Sequence, residues 1–172
     1  MKHFAIFATL SAVSLALASP ASAQVNTSGY YMPMNLALKA AQVAVQTCAE
    51  KGYPVNAFVV DTSGLVVVQL RGDHATVHTK DSAFRKAYTV VTMGPIFNLD
   101  RTSEFVQLVA KLPNGTGAQL TSAPNVVALS GAVAIKRGSE IVAGLGVGGS
   151  PGGDKDEACA AAGVAAIADQ IK

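Results

Sequence analysis

The chain carries its apolar residues in three rhythms. From Phe4 to Ala18 they run almost unbroken. From Asn35 they recur as Leu36, Ala40, Val43, Ala44 and Thr47, the 3.6-residue period of an amphipathic helix that starts on an Asn cap and stops at Gly52. After Pro54 the period changes. Val55–Val60 and Leu65–Leu70 are β-branched runs separated by Asp61-Thr62-Ser63-Gly64, a turn in which Asp can bond the backbone and Gly can take positive φ. This predicts an antiparallel hairpin.

The helical period returns from about Thr79 with Ala83, Ala87, Val90 and Val91, joined by Phe84 and Tyr88, and Gly94-Pro95 is expected to end it. A shorter helix is predicted from Thr102 or Ser103 to Lys111, broken by Pro113-Asn114-Gly115, with loop from Thr116 to Asn125. Val126–Leu129, Val133–Lys136 and Ile141–Val147 read as the remaining strands, with a turn at Arg137-Gly138. A glycine-rich stretch then leads into an Ala-rich helix from Asp154, with Glu157 placed as in a capping box. The class is α+β: helices on a mainly antiparallel sheet of about five strands, in one domain.

The first apolar run is too short for a membrane span. With Lys2 before it and Ala21-Ser22-Ala23 after it, residues 1–23 read as a secretory signal peptide. Residues 24–34 read as a flexible, exposed leader and 35–172 as the domain, with no transmembrane segment in the mature chain. The product is expected in the periplasm or outside the cell.

Lys and Arg number 13 against 11 Asp and Glu, and loss of Lys2 brings them closer to balance. Without a basic run or any Trp, nothing points to nucleic acid. Half the residues are apolar and only 14% charged, which favours a homo-oligomer that buries surface between copies.

Cys48 and Cys159 are the two cysteines. In an oxidising compartment they can form a bridge closing roughly 110 residues, worth about 4–5 kcal/mol on the chain-entropy model, or remain buried thiols on two helices.

Candidate chemistry gathers in two places. His74 and His78, spaced i, i+4, would share a face if helical and could meet one metal or flank one flat cofactor. No third His and no Cys lies nearby to complete a zinc site. Gly144–Gly149 satisfies G-x-G-x-x-G, but no later strand completes a βαβ unit, which excludes a dinucleotide site. A milder reading remains: Gly146, Gly148, Gly149, Gly152 and Gly153 form an anion-binding loop at a helix start. Ser63, Ser82, Ser130 and Ser150 lack a nucleophile elbow. Asp73, Asp81, Arg71 and Lys86 read equally as a polar pocket or as surface ion pairs.

Four motifs in order carry a resemblance: D-T-S-G-L-V-V-V-Q-L-R-G-D-H-A at Asp61–Ala75, K-A-Y-T at Lys86–Thr89, G-A-V-A-I at Gly131–Ile135, and G-L-G-V-G-G-S-P-G-G-D-K-D-E-A-C-A at Gly144–Ala160. Together they resemble the haem-degrading domain family, the GlcG/HbpS-like proteins, over nearly all of the chain from Asn35. The sequence departs from the family pattern at His74, where Gly is usual, and at Gly131–Ile135, which lacks the usual proline.

The resemblance implies oligomers and, in some members, haem binding. On that reading the haem-binding candidates are His74 and His78 as iron ligands, then Tyr88 and Met93, with Tyr30, Tyr31 and Met32 more remote. Arg71, Arg85 and Lys86 are candidates for the propionates. The leading expectation is an exported haem- or tetrapyrrole-binding protein in which any haem breakdown follows from bound iron and peroxide, without a built acid–base site. The alternatives are a protein or enzyme acting on a small hydroxy or oxo acid held by Arg71, Lys86 and the glycine loop, and a ligand-free structural oligomer.

Overall fold

The computed structural model describes residues 30–171, so the predicted signal peptide and residues 24–29 of the leader lie outside the described residues. The elements are α1 (Met34–Ala49), β1 (Asn56–Asp61), β2 (Val66–Arg71), α2 (Thr79–Phe97), α3 (Thr102–Lys111), α4 (Thr116–Thr121), β3 (Ala132–Arg137), β4 (Glu140–Gly148) and α5 (Gly153–Ala165), with a last 3₁₀ turn at Ala168–Gln170. The strands form one open antiparallel sheet in the order β2-β1-β4-β3.

Alternation along the strands feeds two cores, one on each face. Ala57 and Val59 of β1 and Leu145 and Val147 of β4 point toward α1 and α5. Phe58 and Val60 of β1 and Ala132 and Ala134 of β3 pack with Ala83, Ala87, Val90 and Val91 of α2. The sheet is therefore covered by helices on both sides, and its two central strands read as continuous apolar runs. α1 and α5 are joined by a Cys48–Cys159 disulfide with Cα atoms 5.7 Å apart. Of the two sequence readings of these cysteines, the bridge holds.

The β1–β2 turn forms as predicted. Asp61 Oδ1 accepts the Ser63 and Leu65 N–H groups at 2.9 and 3.0 Å.

Other expectations are corrected. Four strands occur among the described residues, because Val126–Leu129 is not one. The Val126 carbonyl accepts from the Arg85 guanidinium at 2.8 Å, and the Val127 N–H donates to Thr89 Oγ1 at 2.9 Å. Side chains of α2 thus take backbone groups that a neighbouring strand would otherwise use. Thr116–Asn125 contains the short helix α4 in place of continuous loop.

α2 runs on to Phe97, two residues past Pro95. Pro95 is exposed, and the helix closes at Asn98, left-handed at φ 54°, whose N–H reaches the Gly94 carbonyl. α5 begins at Gly153, so Glu157 lies beyond its N3 position and caps another helix. At the leader's end, Met32 is buried in the α1/α5 core and Tyr30 lies under the Arg137 guanidinium at 5.0 Å. Residues 30–33 are docked, not exposed as a whole.

The outer edge of β3 is partly covered. Ala134 N–H donates to the Asp100 carbonyl at 2.8 Å, and Arg101 bridges Val133. β2 forms the opposite edge, with no further strand beside it among the described residues.

Candidate functional site

A cleft of about 630 Å³ opens where the start of α2, the segment before β3 and the start of α5 converge. Its size lies within the usual range for small-ligand sites, roughly 300–1,000 Å³. One wall is apolar, from Val106, Ala128 and Leu129; another carries Thr76, Ser82, Ser130 and Ser150; His78 stands at the rim. The apolar wall is held by the Arg85 and Thr89 contacts to residues 126 and 127 described above. Arg85 therefore shapes the cleft through the backbone.

The floor is an ion pair. Lys86 Nζ donates to Asp156 Oδ2 at 2.7 Å and to the Val147 carbonyl at 3.0 Å. The two side chains are only 5% and 4% exposed. Asp156 Oδ1 accepts the Ser150 N–H at 3.0 Å, so this one carboxylate ties α5 both to α2 and to the loop after β4. Gly131 makes room for the pair: with φ at 134°, a Cβ there would lie 2.7 Å from Lys86 Nζ and 2.9 Å from Asp156 Cβ.

The neighbouring Glu157 reaches the start of α3. Its carboxylate accepts the Ser103 N–H at 3.0 Å and the Ser103 hydroxyl at 2.7 Å, and Arg101 lies 3.7 Å away. A carboxylate at the positive end of a helix is well placed electrostatically.

The loop between β2 and α2 sets the positions of the histidines. The Arg71 guanidinium donates twice to the Ala75 carbonyl, at 3.0 and 2.7 Å, closing residues 72–75 into a tight turn. Buried Asn56 donates from Nδ2 to Thr79 Oγ1 at 2.8 Å and to the Thr76 carbonyl at 3.3 Å, pinning the turn to the start of α2. Its Oδ1 has no partner among the described residues.

Helix begins only at Thr79, so His74 and His78 do not share a helical face. They are separated: His78 lines the large cleft, whereas His74, left-handed at φ 62°, lines a second depression of about 340 Å³ with Val45, Tyr53 and Pro54. No group of three metal-ligating residues occurs among the described residues.

The other candidates scatter. Tyr88 lies over the β1–β2 turn, where a Cβ on Gly64 would be 2.8 Å from its ring, and continues a ladder from Phe58 through Phe84. Met93 is seven residues past Lys86 on α2, about 10 Å along the helix. Neither lines the cleft. Asp81 pairs with Lys80 at the surface. Among the loop glycines, Gly146 and Gly148 belong to β4 and lie beneath α2, Gly149 and Gly153 line the cleft, and Gly152 caps α5.

Asp156, Asn56 and Ser103 were not singled out as site residues by sequence, and Glu157 was read only as a cap of its own helix. A signal existed for the first: Lys86 falls on the apolar stripe Ala83-Ala87-Val90, and Asp156 lies one turn before Cys159 and Ala160. A charge on an apolar stripe implies a buried partner of opposite sign somewhere in the fold.

The fold and site define an α+β domain with helices on both faces of an antiparallel sheet and a ligand-sized cleft floored by a buried ion pair. The chain belongs to the HbpS-like haem-degrading family, whose model matches residues 32–165. A double variant of HbpS from Streptomyces reticuli is 35% identical, with a TM-score of 0.73 over 87% of this chain and 97% of that one. A haem complex of PduOC is 25% identical, with a TM-score of 0.69 over 80% and 96% of the two chains. The Klebsiella pneumoniae protein ORFY, at 20% identity, TM-score 0.70 and 85% and 97% coverage, shares the fold. No curated protein matches by sequence.

Proposed function

We propose that the protein binds haem or a related tetrapyrrole in the large cleft, with His78 as the iron ligand. The observation that carries this reading is the joining of an exposed imidazole, an apolar wall and a buried cation in one cleft of about 630 Å³. Family membership and the haem complex of a relative support it. When bound, haem supplies an iron centre, and breakdown would follow from that iron reacting with peroxide. The chain's own residues would bind and orient it: Val106 and Leu129 would offer the apolar surface for the ring, and His78 would hold the iron.

The small-acid reading loses its main support, since Lys86 is already neutralised by Asp156, Arg71 is bound to Ala75, and Gly146 and Gly148 are covered by α2. The Cys48–Cys159 bridge supports export to an oxidising compartment. The β2 edge, beside which no further strand lies among the described residues, supports self-association.

A haemin titration followed by absorbance tests the reading. We expect saturable binding whose Soret position shifts in His78→Ala and is retained in His74→Ala. The same spectrum in both variants and the parent would remove His78 as the ligand, and absence of saturable binding would overturn the reading.

A further inference from the structure

Asn56 is polar where the rest of its strand is apolar. It lies only 1% exposed at the start of β1, on the face from which Phe58 and Val60 pack against α2. Its Nδ2 donates to Thr79 Oγ1 at 2.8 Å and to the Thr76 carbonyl at 3.3 Å, while its Oδ1 has no partner among the described residues. An acceptor buried in that state lowers stability.

Neither partner depends on Asn56 for its own hydrogen bonding. The Thr76 carbonyl already accepts the Thr79 N–H at 3.3 Å and the Thr79 hydroxyl at 2.8 Å, which also employs that hydroxyl. What Asn56 adds is a tie from the sheet to the turn before α2, across 20 and 23 residues of sequence.

Other contacts stop short of this turn on either side. Arg71 holds it as far as the Ala75 carbonyl. Gly148, opposite Asn56 in the β1–β4 ladder, lets α2 lie on the strand: a Cβ there would be 2.7 Å from Ser82 Oγ and 3.0 Å from the Thr79 carbonyl. Between buried Ala75 and buried Thr79, the residues Thr76, Val77 and His78 are exposed. Asn56 reaches back across that gap to Thr76, and Thr76, His78 and Thr79 all line the cleft.

We propose that Asn56 is the positioning residue for His78, fixing the turn so that the imidazole stands at the cleft rim before a ligand arrives. This rests on the tetrapyrrole reading and deepens it by naming what prepares its iron ligand. A ligating group held in advance leaves less ordering to be met on binding. The unpaired Oδ1 is the loss of stability that accompanies this geometry.

The test replaces Asn56 by Leu, similar in size and without polar atoms, in the parent and in His78→Ala. Haemin affinity is measured by absorbance titration and stability by urea unfolding. Asn56→Leu is expected to bind haemin on the order of tenfold more weakly than the parent, with a urea midpoint equal to the parent's or above it. In the His78→Ala background the same change is expected to leave the affinity as it was, because the tie then has no iron ligand to position.

An equal loss of affinity in both backgrounds, the result for a residue that supports only the fold, overturns this inference and leaves the tetrapyrrole reading intact. So does a loss that accompanies a lower midpoint, or unchanged affinity in the parent background. Binding that His78→Ala does not alter removes the iron ligand and this inference with it, and no saturable binding by the parent overturns both this inference and the tetrapyrrole reading. Should Asn56→Leu fail to fold by circular dichroism, Asn56→Val, smaller and suited to a strand, takes its place in the same comparison.

Discussion

At the scale of single residues, the Lys86–Asp156 pair governs both the cleft and the cost of disturbing it. With 5% and 4% of the side chains exposed, removing one partner strands a charge away from water, whereas removing both does not. Lys86→Met is therefore expected to lose about 3–5 kcal/mol in urea unfolding. Lys86→Met/Asp156→Asn should recover a substantial part of that loss. Equal stabilities for parent and single variant would mean that water reaches the pair freely. The pair also marks what a one-dimensional reading can and cannot supply. Lys86 was legible as a cation near candidate ligands, but its partner lies 70 residues away on another helix, and spacing along one segment says nothing about that distance. His74 and His78 show the converse: a suggestive spacing that lost its meaning once Arg71 and Asn56 folded the intervening residues into a turn.

Among elements, α2 packs directly on the backbone of β4. Gly144, Gly146 and Gly148 alternate along one face of the strand, and a Cβ on Gly146 would overlap the Ala83 carbonyl and lie 2.6 Å from the Ala87 N–H. These are backbone atoms of α2, which cannot turn aside as a flexible side chain could. Gly146→Ala should lower the urea midpoint by an amount corresponding to about 1–3 kcal/mol, the usual cost of overpacking, and unchanged stability would show that α2 can lift without loss. These glycines were visible in the sequence, but the phosphate-loop resemblance of their spacing masked a packing role.

The elements that could be read were those with local causes. Asp61 and Gly64 specify the β1–β2 turn, and the stripe from Leu36 to Ala44 specifies α1. Val126–Leu129 failed for a nonlocal reason, since its composition suits a strand but Arg85 and Thr89 take its backbone groups. α4 had no apolar period to announce it.

At the scale of the molecule, the Cys48–Cys159 bridge ties the first described helix to the last across 111 residues of sequence. Replacing both cysteines by alanine should cost about 2–5 kcal/mol in urea unfolding measured under oxidising conditions. A loss below about 1 kcal/mol would show that the α1/α5 core, not the covalent link, holds these helices together. Because both sulfurs are fully buried in that core, each alanine leaves a small void as well as a longer free chain. The comparison of parent with and without reductant separates the two contributions, since reduction opens the link without removing the sulfur atoms.

The strand order carries a consequence for the time the chain needs to fold. Both hairpins, β1–β2 and β3–β4, join neighbours in sequence and can form from local encounters. The central ladder pairs Asn56 with Gly148 and Asp61 with Ala143, so the two halves become one sheet only when nearly the whole domain has been gathered. Loop closure over that length must be met before the ladder rewards it. The penalty of this topology falls on the rate of folding more than on the stability of the finished sheet. Until the central strands meet, each hairpin exposes an unpaired edge, β1 from one and β4 from the other, so the interval before they join is when the chain is most open to pairing with another copy of itself.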